Sequence, residues 1–96
     1  MKRQNLSDGT WFDVDTAKCW QEDTWFDGNN HLSCATDSQW DHQELYCTKN
    51  GKWVLRSWSQ WQGSKESWKR ISEQQAQKWL VKNSHYGAIS IAEQEI

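Results

Sequence analysis

Glu44-Leu45-Tyr46-Cys47-Thr48, Lys49-Asn50-Gly51 and Lys52-Trp53-Val54-Leu55-Arg56 form the stretch on which the fold turns. Asn-Gly between alternating apolar residues signals a β-hairpin, and the length of the turn sets its register. A two-residue turn at Asn50-Gly51 puts Lys49 against Lys52 and Leu45 against Arg56. A three-residue turn with Gly51 in a left-handed bulge pairs Cys47 with Trp53, Leu45 with Leu55 and Glu44 with Arg56. The second register gathers apolar side chains on one face and matches opposite charges on the other, so it is the one expected. Trp53 and Leu55 then share a face with Leu45 and Cys47, while Val54, Arg56 and Trp58 point the other way.

Upstream of the hairpin, residues 10–14 are strand-like and residues 15–18 resemble a turn or a single helical turn. Residues 19–26 read as a second strand, closed by Asp27-Gly28-Asn29-Asn30, residue types that tolerate turn conformations. Residues 31–35 return as a third strand. Downstream, Ser72-Glu73-Gln74-Gln75 is a capping box, in which Ser72 and Gln75 satisfy each other's backbone amides. Ala76, Trp79, Leu80 and Asn83 follow at helical spacing, so a helix is expected over 73–83, with Lys78 and Lys82 on its wet side. One amphipathic helix must cover a sheet. The expected fold is therefore α+β: an antiparallel β-meander of four to five strands with one C-terminal helix packed on the sheet. The 96 residues are read as a single domain with an ordered core over about 9–86. The mildly apolar tail, 88–96, is expected as a short strand or helix, or frayed.

Nine tryptophans, twelve aliphatic Leu, Ile or Val and no proline make up an unusual apolar inventory. A Trp buries about 150–250 Å², so a few indoles replace a missing aliphatic core and the remainder are left for a surface. Exposed Trp is enriched where proteins meet partners.

Residues 1–48 carry a net charge of −6 and residues 49–96 carry +4, for −2 in all. Such a division suits attraction within one domain and also presents a bipolar surface. Met1-Lys2-Arg3 runs into polar Gln4 and Asn5, so no signal peptide is expected; the longest apolar runs are three residues, so no membrane span is expected either. Three cysteines without Cys-x-x-Cys spacing then read as free buried thiols in a reducing cytoplasm. His31, His42, Cys34 and Cys47 match no zinc-ligand spacing, and no metal or other cofactor is expected. Asp41, His42 and Glu44 lack an accompanying nucleophile motif, and the chain is read as non-enzymatic.

The preferred function is binding of a protein partner through Arg56, Trp58, Gln60 and Trp61, where indoles stand among hydrogen-bonding groups; a homodimer is an allowed variant of that reading. An alternative acidic surface is Asp13, Asp15, Glu22, Asp23 and Asp27. The alternative function is single-stranded nucleic-acid binding by the basic, Trp-rich segment 49–82, with Lys52, Arg56, Lys65, Lys69 and Arg70 on phosphates and indoles under bases. Ser38-Gln39-Trp40 recurs as Ser59-Gln60-Trp61, too short a match to argue duplication.

Gly9-Thr10-Trp11-Phe12-Asp13, Asp27-Gly28-Asn29-Asn30-His31, Leu45-Tyr46-x-Thr48, and Trp53-Val54-Leu55-x-x-Trp58 with Ser59-Gln60-Trp61-Gln62-Gly63-Ser64 carry a resemblance. Together with Ser38-Gln39-Trp40 and Ala76-x-x-Trp79-Leu80, they resemble a family of small bacterial accessory-gene proteins with no assigned activity. The resemblance runs from about residue 9 to residue 83 and implies a bacterial or phage setting. It says little about chemistry; small size, bipolar charge and accessory-gene character together point, by analogy with phage-borne anti-defence proteins, to an inhibitor or antagonist of a nucleic-acid-handling complex, of the anti-defence (anti-CRISPR-like) or antitoxin-like kind.

Overall fold

The computed structural model describes residues 1–61, 63 and 65–88. The eight described strands are β1 (Arg3–Asn5), β2 (Trp11–Asp13), β3 (Lys18–Gln21), β4 (Thr24–Phe26), β5 (His31–Ser33), β6 (Asp41–Cys47), β7 (Trp53–Ser59) and β8 (Ser67–Ile71). Helix α1 (Glu73–Lys82) follows. Strands β3, β6, β7 and β8 form one antiparallel sheet in that order, while β1–β2 and β4–β5 are separate two-stranded ribbons. The fold is α+β with a C-terminal helix on the sheet, as the hairpin and capping box lead one to expect.

The β6–β7 register is the one with the apolar residues aligned: Cys47 faces Trp53, Leu45 faces Leu55 and Glu44 faces Arg56. The three-residue turn needs a left-handed residue, and Gly51 supplies it at φ +79°. Its amide donates to the Thr48 carbonyl at 2.9 Å, and the Thr48 amide donates to Lys52 at 2.8 Å.

Two apolar clusters sit on opposite faces of the sheet. On one face, Ala76, Trp79 and Leu80 of α1 cover Leu45, with Trp20, Trp53, Leu55 and Ile71 packed around them. The Trp79 indole N–H donates to Gln43 Oε1 at 3.0 Å, so burying this large ring leaves no orphan donor. On the other face the β1–β2 ribbon lays Leu6 and Phe12 over Tyr46 and Val54, beside Trp68. Phe12, Tyr46 and Trp68 form a triangle of tilted rings with centroids 5.3–5.9 Å apart. The sheet is thus covered twice at its hairpin-turn end.

Several elements differ from expectation. Residues 19–26 are two strands rather than one, because Glu22 and Asp23 turn the chain away from the sheet. The Glu22 carboxylate accepts from the Gln43 amide at 2.6 Å, and the Asp23 amide donates to the side-chain oxygen of Asn83 at 3.0 Å. Strands β1 and β8 lie where no strand was expected. The thiols are free, but Cys19 is exposed and Cys34 and Cys47 are only partly buried. Tail residues 89–96, together with Gln62 and Ser64, lie outside the described residues.

The end of α1 holds two connections, the one between β3 and β4 through Asn83 and the one between β5 and β6 through Lys82. Asn83 Nδ2 donates to the Trp79 carbonyl at 2.8 Å, and its oxygen takes the Asp23 amide. Lys82 Nζ donates to the Ala35 carbonyl at 3.1 Å. The Lys82 bond ties down the start of the segment that carries Trp40.

Candidate functional site

The two Ser-Gln-Trp tripeptides, 21 residues apart in the chain, meet in space. In each, the serine hydroxyl accepts the backbone amide of its own tryptophan: Ser38 from Trp40 at 3.0 Å, Ser59 from Trp61 at 3.2 Å. These are serine turns of the kind that hold a chain bend without a backbone ladder. The Gln60 amide donates to the Trp40 carbonyl at 2.9 Å and ties the two turns together. The rings then meet at 5.1 Å between centroids, tilted by 45°. Both remain open to solvent, Trp40 at 41% and Trp61 at 60% of full exposure.

The Trp40 loop is locked by further bonds. Ser33 donates to the Ser38 carbonyl at 3.0 Å, Asp37 to the Ser33 carbonyl at 2.7 Å, and Thr36 Oγ1 to the Asp41 carbonyl at 2.7 Å. Asp37 takes a left-handed conformation, φ +59°, which Asp tolerates better than most side chains. Beside the pair runs a shallow cleft of about 430 Å³, lined by Thr36, Asp41, His42, Trp58 and Lys65 among others.

Trp58 continues the surface onto the sheet, partly buried. It lies opposite His42 in register, with ring centroids 5.7 Å apart, and the Arg56 guanidinium covers it at 4.5 Å. His42 Nδ1 is 2.9 Å from Glu22 Oε2, while its Nε2 is buried without a partner among the described residues.

Arg56 is clamped. Nη1 bonds the buried Glu44 carboxylate, while Nε and Nη2 bond Glu66 Oε2 at 3.0 and 2.5 Å. Burial would lower the guanidinium pKa, but the hydrogen bonds it donates to Glu66 and Glu44 outweigh burial and raise it above the usual value. Burial likewise favours a raised Glu66 pKa, yet hydrogen bonds from the Trp68 indole and Arg56 win and hold that carboxyl below its ordinary range. Three of the five guanidinium N–H groups are committed inside the fold.

Of the expected partner-binding residues, Gln60 and Trp61 are exposed, Trp58 is half-buried, and Arg56 lies over the Trp58 ring, held there by Glu44 and Glu66. Trp40, which the sequence reading left out, completes the pair; the repeated tripeptide was the signal for it. The alternative acidic residues are mostly engaged in local structure. Asp13 takes the Lys2 and Asp15 amides, Asp27 takes those of Asn29 and Asn30, and Glu22 takes Gln43. Asp23 takes the Thr24 amide, and exposed Asp15 lies 3.6 Å from the amino terminus. The expected phosphate contacts are scattered rather than gathered. Lys52 and Arg70 line a cavity beside the hairpin turn, Lys65 lies at the opposite end, and Lys69 pairs with Leu55 on the α1 face.

Among the described residues, no group of three or more His, Cys, Asp or Glu is placed to hold a metal ion, and no helix is long and apolar enough to cross a membrane. No family model, curated protein or solved structure matches the chain.

Proposed function

We propose that this protein is a non-catalytic module that binds a protein partner through the Trp40–Trp61 pair, with Gln60 and Trp58 at its flank. The observation that carries this reading is the pair itself: two solvent-open indoles in tilted contact, held by matching serine turns. Large exposed apolar groups mark interaction surfaces, and Trp leads among residues that dominate binding energy. Fixing the loops in advance lowers the entropy lost on association. Ser38, Gln60 and Asp41 supply the polar rim such interfaces carry.

A protein partner is favoured over nucleic acid because Asp41 stands beside Trp40, the five expected phosphate contacts do not share one surface, and Arg56 is held by two carboxylates. The bipolar charge, small size and resemblance to accessory-gene proteins support a cytoplasmic inhibitor of a nucleic-acid-handling complex, anti-defence or antitoxin-like. The test uses wild type, Trp61→Ala and Trp25→Ala as parallel baits in an extract of the cells that make the protein. A protein held by wild type and Trp25→Ala but lost from Trp61→Ala is then purified and titrated by calorimetry. Loss of affinity by about thirtyfold in Trp61→Ala supports the reading. Equal affinity, or salt-sensitive binding of single-stranded DNA or RNA in place of protein, overturns it.

A further inference from the structure

A second recess lies away from the tryptophan pair, between the β1–β2 ribbon and the β6–β7 turn, with a volume of about 310 Å³. That is at the lower end of small-ligand pockets. It exists because the ribbon covers the sheet face only up to the hairpin, while the turn residues extend past it. The floor is apolar: Leu6, Phe12 and Val54 are each at most 8% exposed. The Trp11 indole forms a wall, 46% exposed and steadied by the Arg3 guanidinium at 4.8 Å.

The rim is cationic for a reason of register. Arg70 pairs with Val54 across β7 and β8, so both project to the ribbon's face. Lys52 precedes Val54 by two residues and falls on the same side, and Lys49 comes from the turn itself. Opposed to these three cations, the lining carries one carboxylate, Asp13, already taken by the Lys2 and Asp15 amides. Arg70 reaches Asp8 only at 3.9 Å, both side chains being 45% exposed, and Lys52 makes no ion pair among the described residues. Thr10, Thr16 and Thr48 also line the recess; Thr10 and Thr16 donate their hydroxyls to Asp8 and to the Asp13 carbonyl, whereas the Thr48 hydroxyl, which accepts the Lys52 amide, keeps its proton to donate to an anion. A positive rim over an apolar floor, in a chain of net charge −2, is a local reversal of the overall field.

We infer that this recess binds a small amphipathic organic anion, a flat aromatic body seated on Phe12, Val54 and Trp11 with its carboxylate or phosphate at Lys49, Lys52 and Arg70. Adenosine 5′-monophosphate and naphthalene-2-carboxylate represent the two sources of that chemistry; adenosine, naphthalene-2-carboxamide and inorganic phosphate are the controls. The readout is the indole N–H resonance of Trp11 in the 96-residue chain, assigned by its loss in Trp11→Phe.

Saturable shifts of the Trp11 signal by at least one aromatic anion, at concentrations up to about 1 mM, are expected. Its uncharged counterpart and phosphate should bind about tenfold more weakly. Whichever aromatic anion binds identifies the source. Lys52→Gln should weaken that binding by about threefold or more, in line with a partly screened surface charge, while leaving the circular dichroism spectrum unchanged. No shift with either anion, equal binding of the neutral counterparts, or shifts confined to the Trp40 and Trp61 resonances would overturn the inference. The tryptophan-pair interface stands or falls separately, since none of its residues lines this recess.

Discussion

Trp79 and Trp61 carry the same side chain and sit at opposite ends of the range, one 7% exposed and the other 60%. Trp79 faces the sheet over Leu45, and its N–H is bonded to Gln43. Trp61 leans against Trp40 and meets water on its remaining surface. The difference lies in what surrounds each ring rather than in the ring. Helical spacing carries Trp79 onto a buried stripe, whereas a serine turn after the last residue of β7 swings Trp61 out beyond the sheet. In a chain poor in aliphatic residues, indoles thus serve both as core and as surface, and local backbone chemistry assigns the role.

That comparison is broken most severely by Trp79→Ala. Truncating a buried aromatic in contact with Leu45 and Leu80 is expected to cost about 3–5 kcal/mol, enough to unfold a domain of ordinary stability. Thermal melts followed by circular dichroism check it; a midpoint within a degree or two of wild type would make α1 peripheral.

Next in size is Arg56→Met, which leaves the 7%-exposed Glu44 carboxylate without its cation. The cost should be about 2–3 kcal/mol, below that of a wholly buried pair because the Arg56 side chain is 28% exposed. Urea denaturation measures it. The same clamp carries an acid dependence. Because the Glu66 pKa is depressed in the fold, its contribution is present above the unfolded value near 4.3 and is lost as pH falls through the lower folded value. Glu66→Gln should therefore flatten the fall in stability below about pH 4.5, by a modest amount for a side chain 40% exposed.

Trp61→Ala should be the mildest, at about 0.5–1 kcal/mol of stability, since it removes one exposed stacking partner. A loss as large as that of Trp79→Ala would show that the pair belongs to the core.

The parts of the fold legible in the sequence are those decided by neighbours along the chain. Asn50-Gly51 and the alternation around it set the hairpin register, and Ser72 with Gln75 sets the helix start. The rest depends on partners far away in sequence. Strand β1 is polar Arg3-Gln4-Asn5 and forms only because Phe12 and Leu6 find Tyr46 and Val54. The break at Glu22 and Asp23 answers to Gln43 and Asn83, neither of which leaves a local mark.

The site divides the same way. The outward face of Arg56 and Trp58 follows from strand alternation, and the polar setting of Trp61 was readable. The Glu44–Arg56–Glu66 clamp was half visible, in the Glu44–Arg56 register, while Glu66 arrives only with the unanticipated β8 pairing. The repeated Ser-Gln-Trp was visible, but its meaning required knowing that the start of β6 lies beside the end of β7.

The central claim is that the Trp40–Trp61 surface is where a protein partner docks. Its most direct test is a calorimetric titration of the purified partner into wild type and Trp61→Ala, both shown to melt at nearly the same temperature. A dissociation constant weaker by about thirtyfold or more in Trp61→Ala is the predicted result. Dissociation constants within about twofold of each other would contradict the claim, because an exposed ring at the heart of an interface cannot be removed at so little cost.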